Sequence, residues 1–299
     1  MSVQWWCSAQ GIPWRWYWRP YPGVWLLVLA FGAAYVRLAR RSGRRLSPRK
    51  TAPANWWFFG GGLALLWAAL DWPVGTLGAG YLASAHMIQF LLIVMLTPPL
   101  LLRGLRDGLP EAVQERPRLR RTLARLTHPT VALGTYYLVV IATHVPTVVD
   151  SLMVSQLGSL ALDLSWLAAG LAFWWPLGPP VQVRPPLAAP LRLGAMFLAM
   201  LPHQGVGTWL LLSRLPPYRT FELAPPTGWL SARSDQQLAG GFMLLGGTLI
   251  MVAAATLIFF RWAAGEETTS EGGAARGHAA APMAVPAGPA RQVRPTSAR

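Results

Sequence analysis

Residues 83–102 read ASAHMIQFLLIVMLTPPLLL, and this stretch decides the fold. It contains no Asp, Glu, Lys or Arg, and as a helix its 20 residues would span the hydrocarbon core of a bilayer. Across the whole chain 53% of residues are hydrophobic and only 12% are charged, whereas soluble domains carry about 25% charged residues. The sequence therefore predicts an all-α protein that is embedded in a membrane.

Further apolar runs flank this stretch on both sides and predict a polytopic bundle of about seven transmembrane helices. Residues 1–23 are rich in tryptophan and are predicted to lie along the membrane interface. Residues 24–262 form the predicted transmembrane domain, and residues 263–299 a disordered cytoplasmic tail rich in Ala, Gly, Pro and Ser. The other predicted spans are residues 24–36, 56–70, 131–145, 152–177, 191–212 and 237–260.

Basic residues predict the direction of these helices, because Lys and Arg concentrate in cytoplasmic connections. Most of the 26 basic residues follow the first, third and fifth spans or lie in the tail. We therefore expect the amino terminus outside and the carboxyl terminus in the cytoplasm. The net charge of +15 indicates topology and anionic lipid, not nucleic acid, since no folded polar face displays it. The basic residues that this topology places on the outer side are Arg15, Arg19, Arg214, Arg219 and Arg233.

Two histidines are predicted to lie at the same depth near the outer surface. His86 opens the third span, which runs inward, and His144 closes the fourth, which runs outward. Ionisable residues within spans are costly and by default indicate a function. Polar side chains that the same topology places near this depth are Gln89, Asp150, Asp235 and Gln236.

Other candidate residues have structural alternatives that the sequence leaves open. Asp163 falls halfway along the fifth span and needs a partner or a proton there. His203 lies near the middle of the sixth span, and its role is open. Met87 and Met153 offer soft thioether groups but equally suit core packing. Asp235 could cap the start of the seventh helix.

The chemistry of these side chains suits a metal better than it suits catalysis. Imidazole binds copper, zinc and haem iron, and thioether favours Cu(I). We therefore predict a tentative Cu(I) site of His86 and His144 with Met87 or Met153. The single cysteine excludes an internal disulfide. The sequence contains no H-E-x-x-H motif and no phosphate-binding glycine loop, so it does not predict an enzyme. Hydrogen bonds that orient the ligands are expected from Asp150, Asp235 and Gln236.

Several of these segments resemble the CtaG-type cytochrome c oxidase assembly proteins, over roughly residues 22–262. The resemblance implies a multi-pass protein of the bacterial plasma membrane that helps to build the copper centres of haem–copper oxidases. Its partners would be an oxidase subunit or a copper-donor protein. The segments are His86-Met87-Ile88-Gln89, Thr143-His144-Val145-Pro146, Leu164-Ser165-Trp166, Phe173-Trp174-Trp175-Pro176, Arg214-Leu215-Pro216-Pro217-Tyr218 and Asp235-Gln236-Gln237.

The chain departs from the family pattern at four positions. Phe90 stands where the family usually has a second histidine, four residues after the position of His86. Ser159, Leu162 and Asp163 stand where its fifth span usually carries a histidine and then Glu-His. Three of the usual histidines are therefore missing.

Three hypotheses follow from these observations. The leading one is an assembly factor that handles copper at the outer face of the membrane. The second is a metal-free membrane scaffold that binds an oxidase subunit, which the missing histidines support. The third is a b-haem or quinone protein in which His86 and His144 serve as axial ligands. The sequence does not predict an oligomeric state.

Overall fold

The computed structural model of the protein describes residues 4–41, 54–107, 113, 115–178, 180–181, 183–185, 187–228 and 230–279. All regular structure within these residues is helical. Two of the helical elements are π-helical turns, Leu92–Leu96 and Phe242–Gly246, which follow the helices that end at Leu91 and Gly241. The helices are α1 Pro22–Arg41, α2 Ala54–Leu70, α3 Val74–Gly80, α4 Ala83–Leu91, α5 Thr97–Gly104, α6 Pro117–Leu126, α7 Pro129–Ala142, α8 Pro146–Met153, α9 Gln156–Trp174, α10 Ala189–Leu212, α11 Arg219–Glu222, α12 Ala232–Gly241 and α13 Gly247–Ala279.

Among the described residues, five continuous helices are long and apolar enough to cross a membrane. Two further candidates are bent pairs of helices, α2 with α3 at 42° and α7 with α8 at 77°. The described residues therefore contain five candidate spans, or up to seven if each bent pair is one span. The all-α, multi-pass prediction is confirmed, while the count of seven and the direction of the termini stay predictions. The five are Pro22–Arg40, Ala83–Gly104, Gln156–Trp174, Ala189–Leu212 and Ala232–Ala264.

The predicted boundary of the fifth span at residue 152 is wrong. The helix begins at Gln156, because the Ser155 hydroxyl accepts a hydrogen bond from the Gly158 amide at 3.0 Å and caps it. Residues 146–153 form the separate helix α8, and Pro146 occupies its first turn, where the missing N–H has no intrahelical partner to lose. The predicted outer loop after His144 is therefore partly helical.

Part of the amino-terminal segment is folded into the protein. Trp16 and Trp18 are exposed, as an interfacial role requires, but Trp6 is only 1% exposed and Cys7 is buried. Trp6 is therefore packed inside the protein, whereas the interfacial position of the segment stays a prediction. The backbone amide of Trp6 donates to Gln156 Oε1 at 3.0 Å. Burial raises the pKa of the Cys7 thiol, so Cys7 stays protonated at neutral pH.

The chain divides into two units, each with its own set of internal residue contacts: Met1–Thr256 and Leu257–Arg299. The first unit contains every candidate site residue. In the second unit, helix α13 continues to Ala279, beyond the predicted end of the transmembrane domain at residue 262. The remainder of the predicted disordered tail, 280–299, lies outside the described residues.

Candidate functional site

Three histidines from different parts of the chain surround a pair of aromatic rings. The Phe90 ring centroid lies 4.8 Å from that of His144, 5.2 Å from Trp166 and 5.6 Å from His203. The His86 ring lies 5.0 Å from Trp166. All three histidines are at most 3% exposed. The cluster thus joins α4, the turn after α7, α9 and α10.

His86 and His144 share an arrangement of hydrogen bonds. His86 Nδ1 lies 3.1 Å from the Gly78 carbonyl oxygen, and His144 Nδ1 lies 2.6 Å from that of Val140. A carbonyl only accepts, so each Nδ1 carries the proton and donates. Both Nε2 atoms are buried and have no hydrogen-bond partner in the described structure. Each therefore presents a lone pair inside the protein, which is the form of imidazole that binds metals.

Close approach of α3 to α4 explains why a glycine supplies the carbonyl to His86. A Cβ atom at Gly78 would lie 2.5 Å from Gln89 Oε1 and 3.2 Å from His86 Cα. A side chain at residue 78 would therefore displace the Gln89 amide and shift the backbone at His86 by a few tenths of an ångström.

His203 differs from the other two histidines because both of its nitrogens have partners. Nδ1 lies 3.1 Å from the carbonyl oxygen of Ala199, one turn earlier, and Nε2 lies 3.1 Å from the Tyr136 hydroxyl. The tyrosine therefore donates to Nε2, and the pair fastens α10 to α7. Tyr136 could not be singled out from the sequence, because it lies in an apolar run without any pattern to distinguish it.

The buried carboxylate of Asp163 has two donors. Trp6 Nε1 donates to Oδ2 at 2.8 Å, and Gln89 Nε2 donates to Oδ1 at 3.1 Å. These bonds supply the partner that a carboxylate in this position requires. The Ser159 hydroxyl, one turn earlier on α9, is buried and has no hydrogen-bond partner among the residues that the structure describes. Trp6 is a functional candidate that the sequence analysis missed, because it lies 157 residues away.

Asp235 caps a helix, but not the one that the sequence favoured. Ser231 caps its own helix, α12. The Asp235 carboxylate instead accepts from the backbone amides of Ala83 at 2.5 Å and Ser84 at 3.0 Å, and from the Ser84 hydroxyl. These amides belong to the first turn of α4 and have no partner within that helix. Asp235 thus fixes the start of the helix that carries His86.

Asp150 and Gln236 also bind backbone groups at helix ends. Asp150 Oδ1 accepts from the amide of Thr220 at 2.9 Å and from its hydroxyl at 2.8 Å, at the start of α11. Gln236 Nε2 donates to the carbonyl of Leu210 at 2.7 Å, in the last turn of α10. Both residues therefore position the elements that surround the histidines.

The last predicted outer connection contributes two rings to the cluster. The Tyr218 hydroxyl donates to the His144 carbonyl at 3.0 Å, and the Phe221 ring lies 5.4 Å from that of His86. Burial, and then the charge of Asp150, raise the pKa of Tyr218, so its hydroxyl remains a donor at neutral pH. This connection therefore contacts both histidines, the ring of His86 and the backbone of His144.

The ligand set for a metal is limited. Among the described residues, no three His, Cys, Asp or Glu side chains come together as a metal site. His86 and His144 belong to one cluster, with unpaired Nε2 atoms that suit Cu(I). Met87 and Met153 are each 1% exposed, the first beside His86 in α4 and the second at the end of α8. Two imidazoles, with a buried thioether as a further candidate, thus fit Cu(I) better than a metal that requires four ligands.

Comparison with known proteins identifies the family. The model of the cytochrome c oxidase caa3 assembly factor family (Caa3_CtaG) matches residues 29–265. No curated protein and no solved structure matches the chain. The matched region contains α2 to α12 and every histidine of the cluster, and it confirms the resemblance in the sequence. The chain belongs to the cytochrome c oxidase caa3 assembly factor family.

Proposed function

We propose that this assembly factor handles Cu(I) for a haem–copper oxidase at the outer face of the bacterial plasma membrane. The copper would be cargo, held by His86 and His144 and passed between a copper-donor protein and an oxidase subunit. The observation that carries the proposal is the pair of buried Nε2 atoms without partners. The basic residues of the sequence support the outer location.

The unpaired nitrogens support binding for an energetic reason. A buried polar atom without a partner costs roughly 1–3 kcal/mol, and a bound Cu(I) ion would remove that cost at both imidazoles. Backbone carbonyls hold each Nδ1, which fixes the tautomer and orients Nε2. A buried methionine such as Met87 would supply a soft third ligand.

A metal-free scaffold is the second candidate, and a specific observation favours it. The rings of Phe90 and Trp166 pack directly against the imidazoles of His144 and His86. Rings in these positions occupy space beside the nitrogens that further ligands would need. In this alternative, the protein binds an oxidase subunit through helix packing alone.

Copper content of the purified protein separates the two candidates. Under reducing conditions, we expect about one Cu(I) per chain, as two imidazoles form one site. The double variant His86→Ala/His144→Ala should lose it, while His128→Ala, at a histidine outside the cluster, should keep it. Copper-free wild-type protein that still binds an oxidase subunit would establish the scaffold instead. A haem absorbance band would establish the b-haem alternative.

Measurements in cells connect the site to assembly. His86→Ala should lower the copper content of the oxidase without changing the abundance of the assembly factor itself. Unchanged copper in the oxidase would count against the ligand role. A topology reporter fused after Trp262 should register as cytoplasmic, and an external signal would move the site to the other face.

A further inference from the structure

Helix α6 differs from the other helices by its sequence and its exposure. It reads PRLRRTLARL, contains no acidic residue, and buries none of its side chains. Its leucines recur at intervals of four and three, which places them on one face. Three of its arginines recur at intervals of three and four on the opposite face. The two sets are Leu119, Leu123 and Leu126, and Arg118, Arg121 and Arg125.

Neighbouring elements hold α6 close to the membrane. Only Thr127 and His128 separate it from α7, the first part of a candidate span. The Thr127 hydroxyl donates to the Leu123 carbonyl at 2.6 Å, and Arg184 Nε donates to the Ala124 carbonyl at 2.6 Å. These bonds fix the last turn of α6. Because ten residues of helix extend only about 15 Å, α6 cannot reach far from the end of α7.

We propose that α6 lies in the plane of the membrane surface and binds the headgroups of anionic phospholipids. Basic amphipathic helices take this position, with the apolar face in the acyl boundary and arginines towards the phosphates. Arg118, Arg121 and Arg125 are all exposed, and Leu126 is 55% exposed. An anionic lipid surface complements both faces of α6 at once, whereas an acidic soluble protein would contact the arginines and leave Leu126 in water.

A fluorophore on the apolar face tests the proposal in the full chain. Leu126→Cys is labelled with an environment-sensitive dye; Cys7 is buried and does not react. The protein is reconstituted into vesicles of phosphatidylcholine, with or without phosphatidylglycerol. We expect a blue-shifted emission with phosphatidylglycerol, reversed by high salt because the interaction is screened. Each arginine contributes roughly a fivefold increase in binding, so Arg118→Gln/Arg121→Gln/Arg125→Gln should abolish the shift.

A matched control removes the same charge elsewhere. Arg214→Gln/Arg219→Gln/Arg233→Gln neutralises three exposed arginines of the opposite predicted side and should leave the shift intact. An equal shift in both lipids would overturn the role of anionic headgroups. Water-like emission in both would overturn the membrane position and leave an acidic protein as the partner of α6. If the glutamine variant fails to fold, the effect of salt on the emission of the labelled protein with its native arginines still tests the proposal.

Discussion

Loss of the indole donor at Trp6 should destabilise the protein measurably. In Trp6→Phe, Asp163 loses a 2.8 Å hydrogen bond inside the protein and keeps only the bond from Gln89 at 3.1 Å. A hydrogen bond to a charged group contributes about 1.5–3 kcal/mol, although bonds within membrane proteins average about 0.6 kcal/mol. The smaller ring also leaves a cavity that costs about 1 kcal/mol. We therefore expect a loss of about 2–3 kcal/mol.

Reversible unfolding in mixed detergent micelles, followed by far-UV circular dichroism, measures this loss. Trp18→Phe is the matched control, because Trp18 is 53% exposed and should change stability by less than about 0.5 kcal/mol. A double-mutant cycle with Asp163→Leu separates the contribution of the hydrogen bond to the free energy of unfolding from that of the cavity. We expect a coupling of about 1–2 kcal/mol between the two positions. Additive effects, with zero coupling, would refute the bond between Trp6 and Asp163.

Two further changes test how the elements around the site are held. Gly170→Ala should cost about 1–3 kcal/mol in the same unfolding assay, because its Cβ would lie 2.5 Å from the Val94 carbonyl oxygen. Gly134→Ala is the control and should be neutral or stabilising, because its Cβ would have no heavy atom within 4 Å. Asp150→Ala should cost about 1–3 kcal/mol, because the half-buried amide of Thr220 loses its charged acceptor. An equal effect of both glycine variants, or a silent Asp150→Ala, would contradict the packing described above.

Helix direction predicted a common depth for His86 and His144, but it predicted none of their contacts. His86 and His144 were placed at one depth from the direction of their helices, and the structure brings both into one aromatic cluster. Phe90 was visible only as a departure from the family pattern, yet its ring contacts two of the three histidines. Hydropathy fixes where a residue lies along a span, but not how each helix is rotated towards its neighbours.

Polar partners were the part that could not be predicted. Asp163 clearly needed a partner, but its donors are Trp6 and Gln89, and Trp6 was assigned to the interface because tryptophans are common there. Asp235 was recognised as a possible cap, but it caps the helix that starts at Ala83. Such pairs join chain segments 74 to 157 residues apart, and no local pattern encodes them.

Composition and apolar runs determined by themselves that this chain is an all-helical, multi-pass membrane protein. Water cannot satisfy backbone groups within a bilayer, so a long apolar run has few alternatives to a helix. Only the tertiary structure decided that Trp6 enters the protein, that His203 is fully hydrogen-bonded and that His86 and His144 are not. The physical reason is that hydrogen bonding is short-ranged and directional. The packing of the helices therefore selects the hydrogen-bond partners. The sequence determines that packing only through the fold as a whole.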